Sequence, residues 1–214
     1  MNAKLRVAVI GTGGWARQHA RIFSRRPDTE LVAIVGRDEA RTAARASEYG
    51  TAAYTDIERM LAAEHPDLVT VCLPNEHHFG PTLQVIQAGV PLLAEKPLVF
   101  ELDQANRLIR EADDRNLFFG INFNHRYAEP VARAKAAVDA GELGELVFAT
   151  WRFGGEANMA DSPHANLIET QCHGFDMLEH PLRTHRQRPR PSLSWPAWCS
   201  VARSTWRARR RCGS

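Results

Sequence analysis

Residues 5–16 read LRVAVIGTGGWA, an apolar run of strand length that passes directly into a glycine turn. Gly11, Gly13 and Ala16 form G-x-G-x-x-A, the opening fingerprint of a dinucleotide-binding βαβ unit. The first glycine permits the tight turn, and the second lets the backbone approach a pyrophosphate. The small third residue lets the helix pack closely on the strand. A helix starting here would aim its free N–H groups at phosphate oxygens, with Thr12, Gly14 and Trp15 completing the turn. Turn glycines after a strand are common, so this stretch alone leaves cofactor binding open.

Downstream, strands and helices alternate, the pattern of a parallel sheet covered on both faces. Residues 5–10, 31–35, 68–73, 91–94 and 117–123 read as strands. Helices are expected over 15–25, over 39–49 with Gly50 at its end, over 57–63 capped by Asp56, over 81–88 closed by Gly89, and over 102–116. This predicts a doubly wound Rossmann domain over residues 1–124. Residues 125–180 read as a partial second domain of α+β type. Its expected parts are a helix over 130–140, an antiparallel strand over 145–153 and a helix over 168–179.

At 214 residues and 44% hydrophobic, the chain can bury one substantial core. No apolar run reaches membrane-spanning length, and the N-terminus lacks a leader pattern. Four scattered cysteines (Cys72, Cys172, Cys199, Cys212) form no C-x-x-C pair, so a reduced, cytoplasmic setting is expected. Cys172 reads as a small packing residue.

Three local patterns carry chemistry. The second strand ends in Val35-Gly36-Arg37-Asp38. An acidic residue at this strand end would hold a ribose 2′-hydroxyl, whereas a nearby Arg suits a 2′-phosphate. With Gly36 in the acidic position and Arg37 next, NADP is favoured; NAD, with Asp38 on the ribose, is the alternative. The third strand ends in Leu73-Pro74-Asn75-Glu76-His77-His78. Leu73, Pro74, Asn75 and His78 are candidate cofactor contacts, because carboxyl strand ends line the ligand crevice of such sheets. The adjacent histidines point apart and lack a completing ligand set, so no metal is expected. The next strand ends in Ala94-Glu95-Lys96-Pro97, and Lys96 is one of only three lysines beside 24 arginines. A lysine there could hydrogen-bond a substrate hydroxyl and stabilise alkoxide character. Standing alone, it would read as an exposed residue before a turn.

These motifs together resemble the Gfo/Idh/MocA family of oxidoreductases. The resemblance runs through GTGGWA at 11–16, LPNEHH at 73–78, AEKPL at 94–98, FNHRY at 123–127 and ETQCHGFD at 169–176. It implies an N-terminal Rossmann domain, a second domain with a large antiparallel sheet, and hydride exchange between nicotinamide and a sugar, cyclitol or related alcohol. It places the family lysine on Lys96, with Glu95 beside it at the cofactor, and the catalytic histidine on His173. Glu169 falls four positions before that histidine, where it can orient the imidazole from the same helix face. Many relatives carry Asp there, which points to a subgroup with its own substrate.

Residues 181–214 depart from this pattern. They hold nine Arg and no Lys, Asp or Glu, against 18 basic and 25 acidic residues in the preceding 180. Such composition is what a GC-rich coding strand yields out of frame, so the expectation is a truncated family member, frameshifted near residue 181, with a disordered or out-of-frame tail. Truncation would leave it without the family's oligomer-forming sheet and puts its activity in question. Two rivals stay open: a nucleotide-binding protein without catalysis, and a nucleic-acid binder acting through the basic tail. The expected partner is a small polyol- or sugar-type substrate, with no membrane and no nucleic acid.

Overall fold

A computed structural model of the chain describes residues 3–152 and 170–182. They fall into two compact units that divide between Asn122 and Phe123, two residues before the division read from the sequence.

The first unit is a six-stranded sheet, all parallel, in the order β3-β2-β1-β4-β5-β6. The strands are β1 (Leu5–Ile10), β2 (Thr29–Val35), β3 (Ala52–Tyr54), β4 (Leu68–Val71), β5 (Leu92–Ala94) and β6 (Phe119–Ile121). The helices are α1 (Gly14–Arg25), α2 (Glu39–Ser47), α3 (Ile57–Glu64), α4 (Phe79–Gln87) and α5 (Leu102–Asp114). This is the doubly wound order, with its reversal between β1 and β4, where ligands bind beyond the carboxyl strand ends.

The alternation of side chains along each strand sorts the core into two layers. Ala8, Ile10, Val69 and Val71 pack with Met60, Val85, Ile86 and Leu108 of α3, α4 and α5. Val9, Ile34 and Cys72 pack instead with Ala16, Ala20 and Ala46 of α1 and α2. Each fully buried Ile or Leu here contributes about 1.5–3 kcal/mol of transfer free energy. The small alanines on α1 and α2 allow those helices to lie close to the sheet.

Strand β3 is not legible in the sequence as a strand. Its Ala-Ala-Tyr is short and carries no β-branched run, and it forms because Ala52, Ala53 and Tyr54 pair with Ala33, Ile34 and Val35. Two expected strands are also shorter than read: β4 ends at Val71, not Leu73, and β6 covers only Phe119–Ile121.

In the second unit, a short 3-10 turn (Asn124–Tyr127) leads into α6 (Glu129–Asp139), which Gly141 closes at φ +75°; α7 spans Gln171–Leu182. The strand expected over 145–153 is not there: residues 145–152 form no strand, and residue 153 lies outside the described residues. Val147 is 91% exposed and Phe148 83% exposed, so neither alternating face is buried. A strand needs a ladder partner, and the described residues supply none to this segment. Residues 168 and 169 of the expected second helix, and the Arg-rich segment 183–214, lie outside the described residues.

Candidate functional site

The glycine turn closes over β4. Gly11 adopts φ +131°, and a Cβ on it would lie 2.1 Å from the Cys72 carbonyl oxygen and 3.2 Å from Ala16 Cβ. Glycine is obligatory there, and the small Ala16 is part of the same close approach. Gly13 differs: a Cβ on it would meet nothing within 4 Å, so the space beyond the turn is open. Gly13 also caps α1 without a side-chain bond, and no acidic residue occupies that helix's first turn. By contrast, Asp38 and Asp56 cap α2 and α3 by accepting from the Arg41 and Arg59 amides. The start of α1 is therefore left with donors and positive dipole facing outward, as an anionic ligand requires. Gly14 and Trp15 are exposed here, Trp15 at 53%. The carbonyl of Thr12 accepts from Arg45 Nη2 at 3.3 Å, an anchor absent from the sequence reading.

At the end of β2, a Cβ on residue 36 would lie 2.4 Å from Thr42 Oγ1 and 2.6 Å from Thr12 Cγ2. Thr42 is fully buried and donates to the Asp38 carbonyl at 2.6 Å, so it cannot yield easily. The position is closed to an acidic side chain. Arg37 is exposed beside it, while Asp38 Oδ1 is engaged by the Arg41 amide at 2.8 Å.

Beyond β4, Leu73 is half-buried, Pro74 exposed and Asn75 half-buried. His78, expected at the cofactor, is turned into the protein. Its ring is fully buried, with Nε2 2.8 Å from the Leu73 carbonyl and Nδ1 2.9 Å from the Pro97 carbonyl. It ties the β4 end to the segment after Lys96. His77 is exposed. Among the described residues, no group of three His, Cys, Asp or Glu side chains could hold a metal ion.

Lys96, half-buried, follows β5, and its peptide bond to Pro97 is cis. Glu95, also expected at the cofactor, is 5% exposed and turned inward. Its Oε1 lies 2.9 Å from His19 Nε2 and accepts from Asn122 Nδ2 at 2.7 Å. Burial alone would push the Glu95 carboxyl up; the bonds from His19, Asn122 and the Lys96 amide outweigh it and hold it below the ordinary range. Burial, with the Glu95 charge nearby, pushes the Cys72 thiol up strongly, so this cysteine stays a thiol.

In the second unit, His173 sits on α7 and is 7% exposed. The His125 ring stacks on it, centroids 3.9 Å apart and planes 8° apart, while Phe123 meets it edge-on at 6.1 Å. A Cβ on Gly174 would lie 2.3 Å from Trp151 Cδ1, so the glycine after His173 admits the indole. Arg126 forks onto Asp176: Nε donates to Oδ2 at 2.5 Å and Nη2 to Oδ1. The structure thus gathers His125, Phe123 and Trp151 around His173, none of which the sequence reading assigns a role. Glu169 lies outside the described residues.

Comparison with known proteins places this fold. The model of an oxidoreductase family with an NAD-binding Rossmann fold, GFO_IDH_MocA, matches residues 5–123. The chain belongs to this family. It is 35% identical over 153 residues to D-glucoside 3-dehydrogenase of Escherichia coli (strain K12), covering 71% of this chain and 44% of the relative. It is 32% identical over 150 residues to inositol 2-dehydrogenase of Corynebacterium glutamicum (strain ATCC 13032), covering 69% and 44%. A 3-ketoreductase from Actinomadura kijaniata, solved with TDP-benzene and NADP, superposes with TM-score 0.60 at 29% identity over 66% of this chain and 46% of that one. The chain therefore spans about 44% of the length of the curated relatives it matches. No helix among the described residues is long and apolar enough to cross a membrane.

Proposed function

We propose that this chain binds a nicotinamide dinucleotide across the carboxyl edge of its sheet and serves the oxidation of a sugar- or polyol-type alcohol, or the reverse reduction. The observation that carries the reading is the β1–α1 turn, where Gly11 is forced by Cys72 while Gly13 and the uncapped start of α1 face open space. Those residues fit a pyrophosphate: free N–H donors, a helix dipole and no side chain in the way. The activities of the relatives, on a D-glucoside and on inositol, support the substrate class.

NADP is the preferred cofactor in this reading. Position 36 excludes an acid, Asp38 is engaged as a helix cap, and exposed Arg37 is left to pair with a 2′-phosphate. Residues 11–16, Leu73, Pro74 and Asn75 would line the dinucleotide. When bound, nicotinamide supplies or takes up the hydride. Lys96, carried by the first unit, would donate a hydrogen bond to the substrate oxygen and stabilise its alkoxide character. His173, carried by the second unit with its plane fixed by His125, would take the hydroxyl proton at a ring nitrogen, with Glu169 orienting the ring.

The test is a fluorescence titration with NADPH and NADH, alongside an oxidation assay on a panel of sugars and polyols. Tighter binding of NADPH with turnover of at least one polyol supports the reading. Binding of neither nucleotide overturns it, and binding without turnover of any panel member reduces it to a nucleotide-binding protein.

A further inference from the structure

Three segments of the first unit meet at the Glu95 carboxylate. His19 reaches it from the second turn of α1, Asn122 from one residue past β6, and Glu95 itself stands one residue past β5. Both Glu95 and His19 are more than nine-tenths buried. Because the carboxylate accepts, His19 Nε2 carries the donated hydrogen. Oε1 receives this bond and that from Asn122, while Oε2 faces the Lys96 amide at 3.4 Å. Among the described residues His19 Nδ1 is buried without a hydrogen-bond partner, while Nε2, which faces Glu95, also lies 3.3 Å from Asn122 Nδ2.

Ordinary core packing does not account for this arrangement. A buried charge is costly, and apolar side chains of similar volume would join the same elements at least as well. What a carboxylate adds is direction: it fixes two donors and a main-chain amide in one geometry. The amide belongs to Lys96, and one donor belongs to the helix that starts at the glycine turn.

We propose that His19, Glu95 and Asn122 are a positioning unit that sets the main chain of Lys96 against the glycine turn, so that cofactor affinity and the surroundings of the Lys96 ammonium both depend on buried His19. The proposal rests on the dinucleotide reading above. It makes His19 and Asn122 positioning residues and Glu95 the link between them.

The composition provides a direct readout. The chain has three lysines, Lys4, Lys96 and Lys135, so reductive ¹³C-methylation yields three lysine resonances, with that of Lys96 assigned by its absence in Lys96→Arg. His19→Leu removes the donor. It should raise the Kd for NADPH about tenfold, measured well below its unfolding temperature, and displace the Lys96 resonance. His19→Gln keeps an N–H donor at the reach of Nε2 and should bring both readouts back close to wild type. Asn122→Ala removes the second donor without touching α1 and carries the resonance test if His19→Leu does not fold. A His19→Leu protein with a lower Tm but unchanged Kd and Lys96 resonance would overturn the proposal, leaving the cluster a merely structural one. So would His19→Gln behaving like His19→Leu. If the wild-type chain binds neither NADPH nor NADH, the dinucleotide reading falls; the Lys96 resonance in the same variants still decides whether Glu95 positions that residue.

Discussion

Gly11 and Cys72 meet backbone to backbone where β1 and β4 leave the sheet: the Cys72 amide donates to the Ile10 carbonyl at 2.8 Å, and the Cys72 carbonyl occupies the space a Gly11 side chain would need. The switch point of the sheet is thus closed by main-chain atoms, which cannot move aside as a flexible side chain would. Gly13, two residues on, faces nothing. Two glycines of one fingerprint therefore serve different ends, one folding and the other access.

Substitutions separate them. Gly11→Ala should destabilise the first unit by about 3 kcal/mol or more, through the positive φ and the clash together. Gly13→Ala, with ordinary φ and open space, should change stability by less than about 0.5 kcal/mol. Its methyl group would nevertheless stand where the pyrophosphate is to approach, and NADPH affinity should fall about tenfold or more. Thermal denaturation and fluorescence titration measure the two effects; unchanged affinity in Gly13→Ala would show that the ligand does not pass over the turn.

Arg37→Ala should weaken NADPH by about 1.5–3 kcal/mol, the range of a lost charge-assisted phosphate contact. NADH affinity should change little. Equal losses for both nucleotides would mean that Arg37 does not read the 2′-phosphate. Gly36→Asp is not expected to convert the preference cleanly, because its Cβ would run into Thr42 and Thr12; the signature would be a lowered Tm, not a gain in NADH affinity.

Lys96→Ala should lower kcat on a responsive polyol by a factor on the order of 100 or more, the size of a lost acid/base contribution, with the cofactor Kd nearly unchanged. Turnover close to wild type in this variant would remove Lys96 from the chemistry.

Much of this architecture is legible in the residues. The runs at 5–10, 31–35 and 68–71 are buried strands because nearly every side chain in them is apolar, and aspartates at 38 and 56 mark the starts of their helices. What escapes the reading depends on partners distant in sequence. Strand β3 exists only through its pairing with β2. His19 offers a signal, a polar residue in the buried stripe of Ala16 and Ala20, but its partner Glu95 is 76 positions away. His78 and Glu95 are expected at the cofactor because they follow strand ends; side-chain direction, which periodicity does not give beyond a strand's last residue, turns both inward. The expected strand over 145–153 fails for the converse reason: alternation proposes a strand, but only a partner makes one.

Glu95 also sets an acid limit on the fold. Its carboxyl is held below the ordinary range in the folded protein, so the stability it contributes is present above the unfolded-state value, about pH 4.3, and is lost as pH falls through the folded value. The wild-type Tm should therefore drop on going from pH 6 to pH 3, and Glu95→Gln should drop less while starting lower at pH 7. Parallel Tm–pH curves for the two proteins would mean that Glu95 titrates alike in the folded and unfolded chains.

In the second unit, a largely buried ion pair joins the 3-10 turn to α7. Asp176, 7% exposed, accepts both arms of Arg126, and this bond raises the guanidinium above its usual range. Asp176→Asn leaves a largely buried cation with half its partner, which should cost about 3 kcal/mol, the lower end for breaking a buried pair. Arg126→Lys keeps the charge but loses the fork, and should cost less than Asp176→Asn. Because the pair spans the turn and α7, the damage should appear in hydrogen exchange as faster amide exchange over α7, with the strands of the first unit unaffected. His173 is carried by the same helix, three residues before Asp176. Its stacking on His125 should loosen in step, seen as a shift of both imidazole proton signals. An Asp176→Asn protein with wild-type exchange over α7 would show that packing, not this pair, holds the helix in place.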